Sequence, residues 1–271
     1  MKTLHFRGKD PYKINKKSIA IVGSRRMTRY GKEVVDRFVS EFVADGVTTI
    51  SGFMYGVDTE VHQKTVDYGG KTIAVFGCGL NVIYPPENKK LYDQIIESGG
   101  SVVSEYEDDA KPHLWKFPQR NKIVASLASL GVLVIEAGEK SGSLITTGLA
   151  RKMGKEVYAV QGNISSSVSV GTNNLIKSSQ AIMVTSASDI LKIKSTVHGS
   201  PASPSQGGLS TVHGLNSQEV KIYKVLQLEP LDIDEISVKI GENIVEIGST
   251  LSLMSLKGLL TESGGKYYLS K

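Results

Sequence analysis

The chain has 271 residues, of which 40% are hydrophobic and 22% are charged, which is enough for a globular core and for two domains. No apolar run approaches the roughly 20 residues that cross a bilayer, and the N-terminal residues contain no apolar signal segment, so we expect a cytoplasmic protein without a membrane partner. The single cysteine cannot form an intramolecular disulfide, and the five histidines lack the short spacing of metal ligands, so we expect no metal site and no bound cofactor.

Short β-branched runs alternate with helical patterns over most of the chain. Between two such runs, the apolar residues of 30–46 recur near every 3.6 residues and end at a glycine, which predicts a helix. The alternation favours a doubly wound α/β fold with a buried parallel sheet, in which ligands bind beyond the carboxyl ends of the strands. The predicted strands are 18–24, 48–52, 71–77, 101–105, 131–137, 155–162 and 181–184.

The C-terminal quarter has a different pattern. Residues 196–214 are rich in Ser, Gly and Pro without an apolar period, which predicts a linker between a domain at 1–195 and a domain at 215–271. The last segment indicates three short helices and a hairpin with a Gly-Gly turn, and this order suggests a small winged-helix domain.

Positive charge is concentrated before the linker. Residues 1–195 contain 26 Lys and Arg against 19 Asp and Glu, a balance of +7, whereas residues 215–271 contain 6 against 8, a balance of −2. A basic balance favours a polyanionic partner such as nucleic acid, so we expect any nucleic-acid site in the first domain. The negative balance of the second domain favours a protein contact or domain packing.

The first predicted strand ends in GSRR, which comprises Gly23, Ser24, Arg25 and Arg26. Backbone N–H groups, a hydroxyl and guanidinium groups thus meet at one strand end, and together they suit a phosphate. The segment lacks two glycines of the dinucleotide-binding G-x-G-x-x-G motif. The alternative is a turn with solvated arginines.

Two glycines close the second predicted strand in SGFMYGVD, residues 51–58. Gly52 and Gly56 permit a close backbone turn, and Asp58 either caps the next helix or anchors a neighbouring loop. We expect these residues, together with Gly23, to shape the loops.

Cations and aromatic rings are interleaved in KPHLWKFPQRNKI, residues 111–123, before a helix that begins near Pro118. An unpaired nucleic-acid strand requires this combination, since phosphates need countercharge and unstacked bases need a flat surface. Alternatively, the rings hold the loop down and Arg120 and Asn121 hydrogen-bond the carbonyl ends of nearby strands. The candidate contacts are Lys111, Lys116, Phe117, Arg120 and Asn121.

The strand at 131–137 runs into EAGEKSGSLITTGLA, residues 136–150. Glycines and serines expose N–H donors where the next helix begins, near Leu144, and Lys140 adds a full charge, so Lys140, Ser141, Gly142 and Ser143 form a candidate phosphate site. The order differs from the Walker G-x-x-x-x-G-K-[ST] motif, which argues against ATP hydrolysis. The alternative is a tight turn of small residues.

A further loop, GNISSSVSVGTNNLIKS at residues 162–178, is rich in Ser, Gly and Asn. Its composition is compatible with binding and also with an ordinary connection. Lys177 places one cation near the expected edge of the sheet.

In this order, GSRR, SGFMYGVD, GCGLNVIYPPEN, FPQRNKIVASL, VIEAGEKSGSLITTGLA and GTNNLIKS resemble the DNA-processing protein A family, also called DprA or Smf. The resemblance covers about residues 15–195. It implies an extended Rossmann-like fold with a parallel or mixed sheet and helices on both faces, a homodimer formed through this domain, and a C-terminal winged helix.

The resemblance also implies a function. It implies that the protein binds single-stranded DNA and loads the RecA recombinase onto it during natural transformation, without catalysing a reaction. The strand-binding pocket would be built from the GSR, FPxRN and KSGS segments. The chain departs from the family pattern at Met54 and Tyr55, where smaller residues are common, and at Gln161, where proline is usual. Ser178–Gln180 replace a usual glycine-containing end, which affects the shape of the sheet edge close to the dimer surface that the resemblance implies.

An enzyme remains the alternative. Nucleotide phosphoribohydrolases of the lysine-decarboxylase-like or LOG class resemble one another in a PGGxGTxxE segment, but this chain has no acid between Ser141 and Ala150, and Glu136 lies on the strand side. A nucleotide sensor that does not bind strands is a third possibility.

Overall fold

A computed structural model describes residues 4–191, 217–227, 229–256 and 259–269. The chain divides into two compact units, Met1–Pro201 and Ala202–Lys271. The predicted linker at 196–214 and both of its boundaries lie outside the described residues, so the exact domain limits stay predictions.

Within the described part of the first unit, eight strands form one sheet in the order β1-β5-β4-β3-β2-β6-β7-β8. All neighbouring strands are parallel except β1, which pairs antiparallel with β5. The seven predicted strands are confirmed, and the edge strand β1 is an addition. The strands are β1 (His5–Gly8), β2 (Ser18–Val22), β3 (Thr48–Ser51), β4 (Thr72–Val75), β5 (Ser101–Ser104), β6 (Val132–Val134), β7 (Val157–Ala159) and β8 (Ile182–Met183).

Helices connect the strands of the first unit. Residues 86–88 form a short 3₁₀ turn, and residues 187–191 are also helical. No helix in the described ranges is long and apolar enough to cross a membrane. The bounds are α1 (Pro11–Ile14), α2 (Arg29–Ala44), α3 (Val57–Asp67), α4 (Lys89–Glu97), α5 (Lys116–Leu127), α6 (Ser143–Lys152) and α7 (Val170–Lys177).

The sheet is buried on both faces, which explains why its strands read as continuous apolar runs. In β2, Ala20 and Val22 belong to the core that contains Val124 of α5. Ile19 of the same strand belongs to the opposite core, with Phe38 of α2. The predicted α/β fold with helices on both faces is therefore confirmed.

The strand order places the ends of β2 and β6 side by side at a reversal of the chain. From β2 the chain proceeds outward through β3, β4 and β5, and it then returns to β6 on the other side of β2. The connections that follow β2 and β6 consequently leave in opposite directions. In doubly wound sheets the crevice at this point is where ligands bind.

A buried polar network lies beneath β3 and β4 and includes one histidine. His62 of α3 is fully buried, and its Nδ1 is 2.7 Å from the Thr72 hydroxyl, while its Nε2 has no hydrogen-bond partner among the described residues. Burial, reinforced by the charge of Arg120, lowers the pKa of His62 to about 3. The ring is therefore neutral in the folded protein.

We expect this histidine to make the protein sensitive to mild acid. The unfolded chain protonates His62 below its ordinary pKa of about 6.5, so the stability is complete above this pH and is lost as the pH falls towards 3. At pH 4.5 the expected loss is about 2–3 kcal/mol. Urea unfolding of wild type and His62→Gln at pH 7 and 4.5 measures this loss. The carboxylates titrate alike in both proteins, so subtracting the loss of the variant from that of wild type leaves the contribution of His62. An NMR titration of the His62 ring that shows protonation near pH 6.5 would contradict the expectation.

The described part of the second unit contains three helices and a two-stranded antiparallel sheet: α8 (Ser217–Leu226), α9 (Ile233–Ile240), α10 (Ile244–Leu256), β9 (Leu260–Ser263) and β10 (Lys266–Leu269). Ile236, Ile247 and Leu251 lie in its core. The turn between the strands is the Gly264–Gly265 pair, with φ of 63° and 77°, which a glycine adopts without strain. The predicted elements are confirmed, whereas the assignment as a winged helix stays a prediction.

Candidate nucleic-acid interface

An open groove of about 680 Å³ lies beyond the carboxyl ends of β2 and β6, at the reversal of the strand order. Most of the residues predicted for the site line this groove, although they come from separate segments of the chain. Lys111, Lys116 and Gly56 do not line it. The predicted residues that do are Gly23, Ser24, Arg25, Arg26, Gly52, Asp58, Phe117, Arg120, Asn121, Lys140, Ser141, Gly142 and Ser143.

Three cations of the groove are exposed. Arg25, Arg26 and Lys140 are all solvent-accessible, and none of them forms an ion pair within the described ranges. Ser24 orders the turn, because its hydroxyl accepts a hydrogen bond from the Arg26 N–H at 3.0 Å. The groove therefore presents positive charge that no ion pair within the described ranges compensates, and an anionic ligand would neutralise it.

The opposite wall is the loop that leads into α6. The Ser141 and Ser143 hydroxyls are 2.8 Å apart, and the Ser141 Oγ accepts a hydrogen bond at 3.4 Å from the Ser143 N–H, the first of α6. Asn121 of α5 holds this loop by donating to the Gly142 carbonyl at 3.4 Å. The dipole of α6 places a partial positive charge at this N-terminus, which adds to that of Lys140.

Arg120 lines the groove but does not extend its exposed basic surface, and its contact with DNA stays a prediction. Its side chain is buried, and Nη1 donates to the carbonyls of Gly52 and Val75, at the ends of β3 and β4. Burial lowers the pKa of Arg120, and the carboxylate of Asp58 opposes this. The alternative role, in which Arg120 binds the carbonyl ends of strands, agrees with these contacts.

Gly52, Gly56 and Asp58 shape the floor beneath the groove. A Cβ at Gly52 would lie 2.4 Å from the Asp58 carboxylate and 2.6 Å from the Arg120 guanidinium, so only glycine leaves room for this pair. Gly56 has a φ of 75°, and a Cβ there would lie 2.3 Å from the Ser24 carbonyl. Asp58 accepts a hydrogen bond from the Met54 N–H at 3.3 Å, and burial raises the pKa of its carboxyl. These contacts agree with the structural roles predicted for the three residues.

Lys116 likewise contacts the protein, and its role as a DNA contact stays a prediction. It is buried, its Nζ donates to the Lys111 carbonyl at 2.7 Å, and it lies 4.6 Å from the centre of the Tyr106 ring. These contacts hold together the loop before α5, which begins at Lys116, two residues earlier than predicted. Lys111 is exposed but lies outside the groove.

Phe117 forms a wall of the groove and is only 8% exposed. The Arg25 guanidinium lies 5.7 Å from the centre of its ring, and the half-exposed Tyr84 ring lies 5.8 Å away on a tilted plane. Sequence reasoning did not identify Tyr84 at this place. It also missed the exposed apolar side chains of Leu114 and Ile145, which line the groove. Leu114 lies inside the aromatic segment that was singled out, whereas Ile145 carried no signal.

Residues 2–194 match the sequence profile of a family described as "DNA recombination-mediator protein A". The chain belongs to this family. It is 33% identical over 255 residues to Protein Smf of Escherichia coli K12, covering 92% of this chain and 67% of that protein. It is 40% identical over 173 residues to DNA processing protein DprA of Streptococcus pneumoniae, covering 64% of this chain and 60% of that protein.

Two solved structures of family members resemble the first unit. DprA from Streptococcus pneumoniae has a TM-score of 0.64 and 39% identity, over 70% of this chain and 65% of that one. DNA processing protein A from Helicobacter pylori, described with its unique single-stranded DNA binding mode, has a TM-score of 0.64 and 30% identity, over 71% of this chain and 87% of that one. The chain thus spans about two thirds or less of the length of several relatives that it matches.

In this member of the recombination-mediator family, the carboxylate that follows β6 is already engaged in hydrogen bonds. Glu136 follows β6 and is 2% exposed. It accepts hydrogen bonds from the Thr28 hydroxyl and, at 2.9 Å, from the Thr28 N–H. Thr28 in turn caps α2 by accepting a hydrogen bond from the Gly31 N–H. Glu136 consequently stabilises the start of α2 and does not line the groove, in agreement with the structural role predicted for it.

Proposed function

We propose that the first unit binds single-stranded DNA in the groove and that the protein acts as a recombination mediator. Its tasks are to protect an incoming strand and to load RecA onto it during transformation or recombination, as a homodimer in the cytoplasm. The observation that carries the proposal is the convergence of three exposed cations, Arg25, Arg26 and Lys140, which form no ion pair among the described residues, near the positive end of the α6 dipole. The single-stranded DNA binding described for the Helicobacter pylori relative supports it.

The groove favours an unpaired strand because it combines charge with apolar surface. Leu114 is 86% exposed and Ile145 is 45% exposed, and both line the groove together with the ring of Phe117. Unstacked bases gain by covering such surfaces, whereas the bases of a duplex are already stacked. The cations contact phosphates, which carry no sequence information, so little sequence preference is expected.

A salt series tests this proposal most directly. With about three to four phosphate contacts, the logarithm of the binding constant should fall with the logarithm of salt concentration with a slope of roughly −2 to −3 for single strands. Fluorescence anisotropy with single-stranded and double-stranded oligonucleotides measures affinity, strandedness and contact number together. Equal affinity for the duplex, or a slope near zero, would contradict the proposal.

RecA loading and dimer formation need separate measurements. We expect the protein to speed the assembly of RecA on single strands that are covered by a single-strand-binding protein. Sedimentation of the chain should give twice the monomer mass. A monomer at micromolar concentration, or an unchanged rate of RecA assembly, would remove the corresponding part of the proposal.

The proposal is non-catalytic, and two observations favour it over a nucleotide phosphoribohydrolase. No acid stands between Ser141 and Ala150, and the Glu136 carboxylate is bonded to Thr28. A general acid or base must reach the substrate. The segment after Ser141 supplies no carboxylate, and Glu136 is held by Thr28 outside the groove lining. Release of free base from nucleoside monophosphates would decide for the enzyme. Competition by mononucleotides without any strand binding would decide for a sensor.

A further inference from the structure

A second cavity, of about 710 Å³, lies in the first unit beyond the carboxyl ends of β7 and β8. Its volume falls within the range of roughly 300–1,000 Å³ that is typical of small-molecule sites. The start of α2 contributes Thr28 and Tyr30, and the loop after β7 contributes Gln161, Ser166 and Ser169. The function proposed above does not use this cavity.

The second cavity shares its walls with the groove. The loop after β2 lines the groove with Arg26 and the cavity with Thr28. In the Ser-rich loop after β7, Ser167 lines the groove, whereas Ser166 and Ser169 line the cavity. A chain molecule that leaves the groove over this loop therefore reaches the cavity at once.

The two charged side chains that line the cavity already have partners within the protein. Glu136 is bonded to Thr28, and the Arg37 Nε lies 3.2 Å from the carboxylate of Glu41 on the same helix. No other charged side chain lines it within the described ranges. A phosphate would find no free countercharge here, in contrast to the groove.

The remaining surface suits a flat, neutral ring with polar edges. Phe38, Val160 and Val184 are buried side chains that form its apolar wall. Ser169 is only 2% exposed, and its hydroxyl makes no hydrogen bond within the described residues, while its Oγ lies against Gly162. Since Ser169 lines the cavity, its hydroxyl is available to donate to, or accept from, the polar edge of a ligand there.

We propose that this second cavity is a nucleobase site. A nucleobase combines apolar faces with donors and acceptors on its edge, as the cavity requires. The base belongs either to a strand that crosses from the groove over Ser166 and Ser167 or to a free nucleoside. The first source rests on the proposed function, whereas the second does not.

Ser166→Trp fills the cavity, and Ile164→Trp is the matched control. Ile164 stands on the same loop, is 89% exposed and lines neither cavity. Oligonucleotides with a single abasic position, scanned along the strand, report whether one base occupies the cavity. A second variant, Ser169→Ala, removes the hydroxyl with a minimal change of shape. NMR titration with free nucleosides forms the other arm.

With a strand as the source, an abasic residue at one position should weaken the affinity of wild type for the oligonucleotide about tenfold. Ser166→Trp should weaken the affinity for the intact oligonucleotide by about the same factor, and the abasic residue should then cause no further loss. Ile164→Trp should stay within twofold. With a free nucleoside as the source, adding nucleosides should shift NMR resonances of wild type but not of Ser166→Trp. Ser169→Ala should weaken the affinity for the nucleoside severalfold.

If Ser166→Trp and Ser169→Ala change neither strand nor nucleoside binding, the nucleobase site is overturned while strand binding in the groove stands. If the wild type binds no strand, the proposed function fails, and the nucleoside titration alone decides for or against the cavity. These outcomes separate the two proposals.

Discussion

Replacing Arg120 with Met is expected to lower the free energy of unfolding by about 3–5 kcal/mol. The guanidinium is buried, donates to the carbonyls of Gly52 and Val75, and its charge faces Asp58. Without it, two strand-end carbonyls lose their donor and a carboxylate whose pKa is already raised by burial loses its counterion. Urea unfolding at pH 7 measures the loss.

Lys122→Met is the control for Arg120→Met, because Lys122 is an exposed cation on the same helix and should change stability by less than about 0.5 kcal/mol. The double variant Arg120→Met/Asp58→Asn should recover part of the loss, since it removes the unpaired charge. At a temperature where Arg120→Met is folded, it should bind single-stranded DNA within twofold of wild type. Full stability with lost DNA binding would contradict the structural role and restore Arg120 to the DNA contacts.

The fold was readable from the sequence because the sheet is buried on both faces. In β2, the segment SIAIV shows no polar alternation, because Ala20 and Val22 pack in the core that contains α5 while Ile19 and Ile21 pack in the core that contains α2. The strand β1 was not readable for the opposite reason. HFRG is short, largely exposed and at an edge, so no apolar period marks it.

The site was readable in its segments but not in the role of each side chain. Arg25 and Arg120 both stand in motifs near strand ends, and both were predicted from their residue type to contact DNA. Their roles differ because Arg120 lies on α5, which packs at the ends of β3 and β4. There the guanidinium of Arg120 donates to the carbonyls of Gly52 and Val75, and these hydrogen bonds occupy it within the protein. Lys116 is buried by the same kind of contact, with a carbonyl five residues earlier in its own loop. Such partners are set by tertiary packing, which no local pattern contains.

The second cavity left only an ambiguous trace in the sequence, the Ser-, Gly- and Asn-rich loop at residues 162–178, for a related reason. A site for a charged ligand needs cations, and these are visible as residue types. A site for a neutral ring needs only an apolar wall and a few hydroxyls, which Val160, Val184 and Ser169 provide and which any core or loop also contains. Its existence depends on where the start of α2 meets the loop after β7.

Removing Arg25 and Lys140, two of the three exposed cations of the groove, should abolish most of the strand binding. We expect Arg25→Ala and Lys140→Ala each to weaken the affinity for single-stranded DNA about tenfold, which is about 1.4 kcal/mol. The double variant should weaken this affinity about 100-fold. Each should also reduce the salt slope by about 0.7, because one phosphate contact is lost. Neither residue has an ion-pair partner among the described residues, so stability should change by less than about 0.5 kcal/mol.

Lys152→Ala is the matched control for the two groove variants, because Lys152 is an exposed cation in the last turn of α6 that lines neither cavity. It removes the same net charge, so any loss that it shares with Lys140→Ala reports the overall field of the protein. Arg25→Lys separates charge from shape, since a lysine keeps the charge but not the planar fork that binds phosphate at two points and lies near the Phe117 ring. Anisotropy curves for Arg25→Ala and Lys140→Ala that superimpose on those of wild type and Lys152→Ala would exclude the groove as the strand-binding surface, because its two walls would then both be dispensable.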